Sequence, residues 1–143
     1  MSYLTPTQFR LRPLASGSFN TLSDSEVQTQ LDVAASEIDA ALRPHHKLPL
    51  ASPYPAVLLE AESVIASYRL FLFRGFKPGS KDADTIQARY VEVVGDPTVP
   101  GSGLLGRLAA GKFILAAEAD ATPNTREGAP LVLSRTSRSD RFA

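Results

Sequence analysis

The chain has 143 residues, 43% of them hydrophobic, and its 15 basic and 15 acidic residues leave no net charge. This length suits one domain with its own core, and a neutral chain lacks the positive surface that nonspecific DNA binding requires. The absence of cysteine excludes disulfides, thiolate catalysis and cysteine-ligated metals. No signal peptide or transmembrane segment is visible, so we expect a protein that is cytoplasmic when it is made.

The first predicted element is a short helix near the beginning of the chain. Thr5 followed by Pro6 is typical of a helix start, and Pro13 of a helix end. We expect this helix to run to about residue 12, with Phe9 and Leu11 facing inward.

A longer second helix is predicted from residue 24 to just before Pro44. Ser23 and Glu26 have the spacing of a capping box, which favours a helix start at this point. Its apolar residues recur at helical spacing and form the expected inward face: Val27, Leu31, Ala34, Ala35, Ile38, Ala41 and Leu42.

The third helix, from Ala56 to about Arg74, is the predicted centre of the fold, with Pro55 in its first turn. Its apolar residues cover most of the circumference, so it needs neighbours on several sides. We expect a thin polar strip of Glu60, Ser63 and Ser67, with Glu62 and Arg69 at its margins, and Gly75 as the C-terminal cap. The second and third helices should pack as an antiparallel pair, with Glu37 or Asp39 close enough to Arg69 for an ion pair.

Two further helices are predicted on either side of a loop rich in glycine and proline. The fourth starts at Asp82 or Asp84 and buries a stripe made of Ile86, Tyr90, Val93 and Val94. The loop runs from Gly95 to Gly103, and the short fifth helix spans about residues 104–110 and ends at Gly111.

The last quarter of the chain has too few apolar residues to form a core. Residues 112–115 and 131–133 are short apolar runs with strand character, separated by a small and polar stretch. Such a segment is either a mobile tail or an arm that a partner orders. The predicted fold is therefore mainly α, a small bundle of about four to five helices over residues 1–111, with an extended C-terminal arm containing short strands over 112–143.

No constellation of residues points to catalysis, a cofactor or a metal. Residues 101–106 (GSGLLG) match the dinucleotide fingerprint G-x-G-x-x-G, but they follow a loop instead of a strand, so a turn that feeds a short helix is the better interpretation. His45 and His46 lack acidic or cysteine partners at ligand spacing, and we expect an exposed corner, with a metal site or a pH-sensitive contact as alternatives. The sequence therefore favours a protein that is not an enzyme.

The basic residues near the C-terminus suggest a contact surface. Arg135, Arg138 and Arg141 recur every three residues, and Phe142 follows them. Arginine is suited to protein interfaces, so a docking arm is one interpretation. A solvated tail and contact with nucleic acid are the alternatives.

Several short stretches, in their order and spacing, resemble one family: the Mu-like prophage relatives of tailed-phage head-tail connector proteins, also called adaptor or head-completion proteins. The similarity covers about residues 3–115. The matching stretches are 3–5 (YLT) with Phe9, 35–39 (ASEID), 46–50 (HKLPL), 65–70 (IASYRL) and 109–112 (AAGK), with a weaker match at 133–135 (LSR) and Arg138.

This resemblance implies a virion protein of the phage neck. Such connectors form rings of typically twelve subunits beneath the portal protein, bridge it to a stopper or tail-completion protein, and let the genome pass without sequence-specific binding. The resemblance also implies a small helical bundle with an extended arm. From the residues themselves we expect no cofactor and no membrane partner. The loop 95–103 and the tail are longer here than in the shortest relatives.

We place the expected contacts with neighbouring proteins on three parts of the chain. The C-terminal arm is the first candidate for binding the portal or a neighbouring subunit, through Leu131, Val132, Leu133, Arg135, Arg138, Arg141 and Phe142. The loop, through Gly95, Pro97, Pro100 and Gly103, and the end of the third helix, through Leu70, Phe73 and Phe76, are secondary contacts. The alternative from another class is a small helical DNA-binding or regulatory protein.

Overall fold

A computed structural model of the chain describes residues 1–13, 19–75, 81–112 and 115. The chain divides into two units, and the fold described here is that of the first, Met1–Phe113. All regular structure within the described residues is helical: α1 (Pro6–Arg10), α2 (Asp24–Leu42), α3 (Ala56–Arg74), α4 (Lys81–Val94) and α5 (Gly103–Ala109). The prediction of a mainly helical bundle is confirmed.

Four of the helices pack in a closed cycle. Helix α2 packs on α3, α3 on α4, α4 on α5, and α5 returns to α2, while α1 packs on the outside of α2. Each helix of this cycle thus has two neighbours within the cycle, which is how a unit of this size encloses a core.

Helices α2 and α3 are antiparallel, as predicted. The Tyr3 side chain contacts both Asp39, near the end of α2, and Tyr54, just before α3. At the other end of the pair, the ring of Phe19, which precedes α2, lies edge-on to that of Phe71, in the last turn of α3.

The helix starts follow the predicted capping signals. The Ser23 hydroxyl accepts a hydrogen bond from the Glu26 backbone N–H, and the Glu26 carboxylate accepts one from the Ser23 N–H. The Ser23 hydroxyl also donates to the Glu26 carboxylate, and this bond, together with the one from the Ser23 N–H, holds the pKa of Glu26 below its ordinary value. Thr5 and Gln8 form the same reciprocal pair at the start of α1.

Helix α1 is shorter than predicted, and one of its two expected core residues is wrong. Phe9 is fully buried, but Leu11 is 80% exposed. The helix ends at Arg10 and Leu11 is its C-cap. Because residues two apart on a helix project about 200° from each other, Phe9 and Leu11 cannot share one inward face.

Helix α2 buries its predicted face. Six of the seven expected residues are buried, and the seventh, Ala41, is half-buried: the buried six are Val27, Leu31, Ala34, Ala35, Ile38 and Leu42. The helix ends at Leu42 and Arg43 is its C-cap, so it stops before Pro44 as expected.

Helix α3 occupies the centre of the bundle, as predicted. Every residue from Ala61 to Ser67 is buried, which means that the helix is enclosed all the way round over two turns. The expected polar strip is therefore wrong: Ser63, Ser67 and Glu62 are all buried and only Glu60 is exposed. Neighbouring helices and the N-terminal segment cover the side on which the polar residues lie, and the sequence of α3 alone gives no sign of this.

The buried Glu62 carboxylate binds the N-terminal segment. Its Oε1 accepts a hydrogen bond from the Tyr3 backbone N–H (3.0 Å), and its Oε2 accepts one from the Leu4 N–H (2.8 Å). Burial raises the pKa of Glu62 to about 7, against the two hydrogen bonds, which act to lower it. Burial and the neighbouring Asp39 carboxylate, to which the Tyr3 hydroxyl donates, also raise the pKa of Tyr3 above its ordinary value.

Two further contacts fix the helices beside α3. Arg69 donates a hydrogen bond to the Glu37 carboxylate, so the expected ion pair between α2 and α3 is confirmed with Glu37 as the acid. Helix α4 packs back on α3 through the ring of Tyr90, which stacks on that of Tyr68 with ring centroids 3.9 Å apart. Ile86 and Val93 are buried beside it, as expected.

Candidate interaction surfaces

The loop between α4 and α5 is a closed turn whose two ends meet. A Cβ atom built on Gly95 would lie 2.3 Å from the Ser102 carbonyl oxygen, and one on Gly103 would lie 2.5 Å from the Gly95 nitrogen. Both glycines also have positive φ angles, 102° and 77°, which side-chain-bearing residues rarely adopt. Gly95 and Gly103 therefore shape the loop and are half-buried.

Polar side chains stabilise the loop through hydrogen bonds within it. The Ser102 hydroxyl accepts a hydrogen bond from the Asp96 backbone N–H (2.8 Å). The Asp96 carboxylate accepts hydrogen bonds from the Thr98 N–H (2.8 Å) and hydroxyl (2.6 Å). These bonds hold the pKa of Asp96 below its ordinary value, so the carboxylate is ionised at neutral pH.

The outer side of the loop is apolar. Pro97 and Pro100 are exposed, and Val99 between them is 54% exposed. With Tyr90 and Val94 of α4, these residues line a shallow groove of about 520 Å³, and the remaining lining comes from Gly95, Asp96, Gly101, Ser102 and Gly106. We call this surface the loop groove.

The end of α3 presents a second apolar surface. Leu72 is 50% exposed and Phe73 is 63% exposed, and exposed Arg74 follows them. We call these three residues the α3 tip. Leu70, expected to lie on this surface, is fully buried because its turn of the helix faces the core, so that part of the prediction is wrong. Phe76, the third expected residue, lies outside the described residues.

The glycines of the G-x-G-x-x-G match serve close backbone packing. Gly101 lies in the loop, Gly103 begins α5, and a Cβ atom on Gly106 would lie 2.6 Å from the Gly101 backbone. The motif follows a loop and begins a helix of seven residues, so the prediction of a turn that feeds a short helix is confirmed.

The two histidines differ in their surroundings. His45 is exposed, as expected, and its Nε2 lies 2.9 Å from the Ala109 carbonyl oxygen. His46 is buried, so the prediction of an exposed corner is wrong for this residue. The His46 backbone N–H donates to the Leu42 carbonyl, and this extra turn folds the chain back against the bundle. Over the described ranges no group of histidine and acidic side chains could hold a metal ion.

The C-terminal candidate residues lie outside the described part of the structure. This applies to residues 113 and 114 of the expected strand at 112–115, and to the whole set proposed for the arm: Leu131, Val132, Leu133, Arg135, Arg138, Arg141 and Phe142. Their role as a contact surface stays a prediction.

The described unit is a small helical bundle whose candidate sites are exposed apolar surfaces at two places on its exterior. Among the described residues, no helix is both long and apolar enough to cross a membrane. The family model described as Bacteriophage Mu, Gp36 matches residues 7–133, and the chain belongs to that family. It is thus a Mu-like phage protein, and the family indicates a structural or morphogenetic role. No curated protein and no solved structure matches it.

Proposed function

We propose that this chain is a head-tail connector, or adaptor, of a Mu-like phage. In this proposal it forms a ring, of twelve subunits as the resemblance implies, between the portal protein and the stopper or tail-completion protein. The ring acts as a structural part without catalytic activity. The genome passes through its centre without sequence-specific contacts.

The observation that carries the proposal is the combination of family membership with two exposed apolar surfaces on a small bundle. Residues 7–133 belong to a phage family, and the α3 tip and the loop groove each expose neighbouring apolar side chains, as interaction sites often do. A ring subunit needs such surfaces on two sides, since each subunit contacts two neighbours.

The charge distribution supports a protein partner over DNA. Several arginines of the bundle are paired with acids: Arg10 with Asp24, Arg12 with Glu60, Arg69 with Glu37 and Arg89 with Glu92. Paired arginines contribute little to a phosphate-binding surface, because an adjacent carboxylate offsets their charge.

The arm, residues Leu131–Phe142, is proposed to bind the portal or a neighbouring subunit, and the loop is proposed as a second contact. This placement is based on the apolar and basic composition of the arm, whose few apolar residues are too sparse to form a core of their own.

The test compares portal binding by the full chain and by a chain ending at Pro130. We expect the full chain to co-sediment with portal rings in near-stoichiometric amounts and the truncated chain to bind much more weakly. Equal binding would contradict the role of the arm. Absence of portal binding by the full chain, combined with binding to duplex DNA that weakens steeply with salt, would contradict the connector proposal itself.

A further inference from the structure

The end of α2 and the end of α5 meet at one corner of the bundle. His45, which follows α2, has its Nε2 atom 2.9 Å from the carbonyl oxygen of Ala109, the last residue of α5. Gly111 lies against the same ring, because a Cβ atom built on it would lie 3.0 Å from the His45 Cε1 atom. Two stretches that are far apart in the sequence therefore lie side by side here.

Four cationic residues flank this contact. Arg43 and Lys47 each lie two residues from His45. On the other side, Arg107 lies two residues before the end of α5 and Lys112 three residues after it. The Lys112 N–H donates to the Arg107 carbonyl oxygen (2.9 Å), so these two residues are also close to each other. At about 3.8 Å between consecutive Cα atoms, each of the four Cα atoms lies within roughly 12 Å of one of the residues in contact. All four residues are exposed, and we call them the basic corner.

Acidic residues are absent from both stretches. Residues 40–59 and 97–117 contain no aspartate or glutamate. The acids that precede the two stretches, Asp39 and Asp96, accept hydrogen bonds from Tyr3 and Thr98. Within the described ranges, no cation of the basic corner forms an ion pair, in contrast to the paired arginines of the bundle. The zero net charge of the chain does not reveal this surface, because acids elsewhere in the sequence balance it.

Stabilisation of helix ends accounts for only part of this charge. Cations are favourable at the C-terminal end of a helix, but the effect is confined to the last turn. It applies to Arg43, the C-cap of α2, and to Arg107, in the last turn of α5. Lys47 and Lys112 lie beyond those helix ends, so the effect does not explain them. Four like charges with no acid among them are complementary to a polyanion.

Duplex DNA is the polyanion that the proposed function brings to this protein. It carries one negative charge per about 1.7 Å of helix axis. Exposed lysine and arginine side chains bind its phosphates, and such contacts carry no sequence information. This fits a genome that passes through a ring, whereas no acidic protein surface is known from the family match.

We propose that the basic corner contacts the phosphate backbone of duplex DNA without reading its sequence, and that it marks the side of the subunit that faces the channel of the ring. This inference rests on the proposed connector function and names the surface of each subunit that meets the genome. Four cations per subunit make a weak site. Repeated around a ring, weak sites act together to centre a duplex, and phosphate contacts still let it slide.

The test measures how the full chain binds a fluorescently labelled duplex of about 25 base pairs, by anisotropy, at salt concentrations from about 20 to 200 mM. One double variant, Arg43→Glu with Lys47→Glu, changes the α2 side of the corner. A second, Arg107→Glu with Lys112→Glu, changes the α5 side. Lys81→Glu with Arg89→Glu, at exposed residues of α4, is the control because it changes the net charge by the same amount. Circular dichroism and thermal unfolding check that each variant is folded, and co-sedimentation with portal rings is measured in parallel.

We expect wild type to bind at low salt, with an affinity that falls with a logarithmic slope of about 3–4, since each neutralised phosphate contributes about 0.9. Each corner variant should bind at least about tenfold more weakly and with a smaller slope. The control variant should bind nearly as well as wild type. Duplexes rich in A·T and in G·C should bind equally, and all the variants should co-sediment with the portal.

Several results would overturn the proposal while leaving the connector function intact. These are no binding of DNA by wild type at low salt, equal losses in the corner and control variants, and a marked preference for one duplex sequence. Loss of portal binding by the corner variants with unchanged DNA binding would assign the corner to an acidic protein surface, and would also overturn it. Failure of wild type to bind portal rings would overturn the connector function and, with it, the assignment of the corner to a channel.

Discussion

The Glu62 carboxylate lies 2.8 Å from the backbone nitrogen of Leu4, and both residues are buried. The second oxygen of the same carboxylate accepts the Tyr3 N–H at 3.0 Å. A helix in the centre of the bundle thus satisfies two backbone donors of the N-terminal segment, which otherwise has no regular structure to supply acceptors. Because unpaired buried N–H groups are costly, this contact ties the first residues of the chain to the core.

Replacing Glu62 by alanine should destabilise the bundle. The substitution leaves two backbone N–H groups without their acceptor, one of them fully inside the protein, and this costs roughly 1–3 kcal/mol. Urea denaturation followed by circular dichroism measures the change. Glu60→Ala is the control, because Glu60 is exposed and its ion pair with Arg12 at 3.4 Å contributes less than about 1 kcal/mol. Equal effects of the two substitutions would show that the Glu62 contact is unimportant.

The stability of the protein should depend on pH through Glu62. Its pKa is about 7 in the folded protein and 4.5 in a solvent-exposed reference, so the folded state binds the proton more tightly. The contribution of Glu62 is therefore fully present below pH 4.5 and is lost as the pH rises through about 7. We expect roughly 1–3 kcal/mol of stability to disappear across this interval.

The measurement for this dependence is thermal unfolding of wild type and Glu62→Gln between pH 4.5 and 8. The glutamine variant does not titrate, so its melting temperature should vary less with pH. Asp32 and the N-terminal ammonium group also influence the Glu62 carboxylate, and both are retained in the variant. Parallel pH profiles for the two proteins would contradict the prediction.

In the loop between α4 and α5, replacing Gly101 and replacing Gly103 by alanine should cost different amounts of stability. Gly101→Ala places a Cβ atom in open space and meets only the strain of a positive φ of 75°, which costs about 1 kcal/mol. Gly103→Ala has a similar φ of 77°, and its Cβ would also lie 2.5 Å from the Gly95 nitrogen. The extra clash should raise the loss to roughly 3 kcal/mol or more.

Chemical denaturation of the two glycine variants gives the comparison directly, since each serves as the other's control. The Gly103 variant should also weaken the assembly of subunits, because the loop groove loses its shape. Similar stabilities for the two variants would mean that the ends of the loop can separate at little cost.

The capping box at the start of α2 gives a prediction that is independent of the site. Ser23→Ala removes the hydroxyl that accepts the Glu26 N–H, and loss of such a cap costs about 1 kcal/mol. Ser36→Ala, in the middle of the same helix and exposed, is the matched control and should have a much smaller effect. Differential scanning calorimetry measures the melting temperatures of both variants. Equal melting temperatures would contradict the role of the Ser23 hydroxyl as the helix cap.

The helices and their starting points could be predicted because the signals for them are local. The spacing of Ser23 and Glu26 specifies a cap within one turn of helix, and the apolar spacing along α2 and α3 identifies the buried faces before any partner is known. The central position of α3 also follows from its own composition, since a helix that is apolar over most of its circumference needs neighbours on several sides.

What could not be predicted depends on contacts between distant parts of the chain. Glu62 is buried because backbone donors 58 and 59 residues earlier in the chain meet it, and no pattern within α3 signals this. The burial of His46 likewise depends on how the connection after α2 folds back. The glycine and proline content of residues 95–103 predicts a loop but not its shape. The loop groove forms only because the two ends of this loop meet in the folded protein.

The central claim, that this chain is a connector of the phage neck, is tested most directly by electron cryomicroscopy of the assembled particle, with focused classification of the neck. The account predicts a ring of helical subunits directly beneath the portal, into whose density α2–α5 fit. A neck without such a ring, in infectious particles assembled with this chain present, would contradict it.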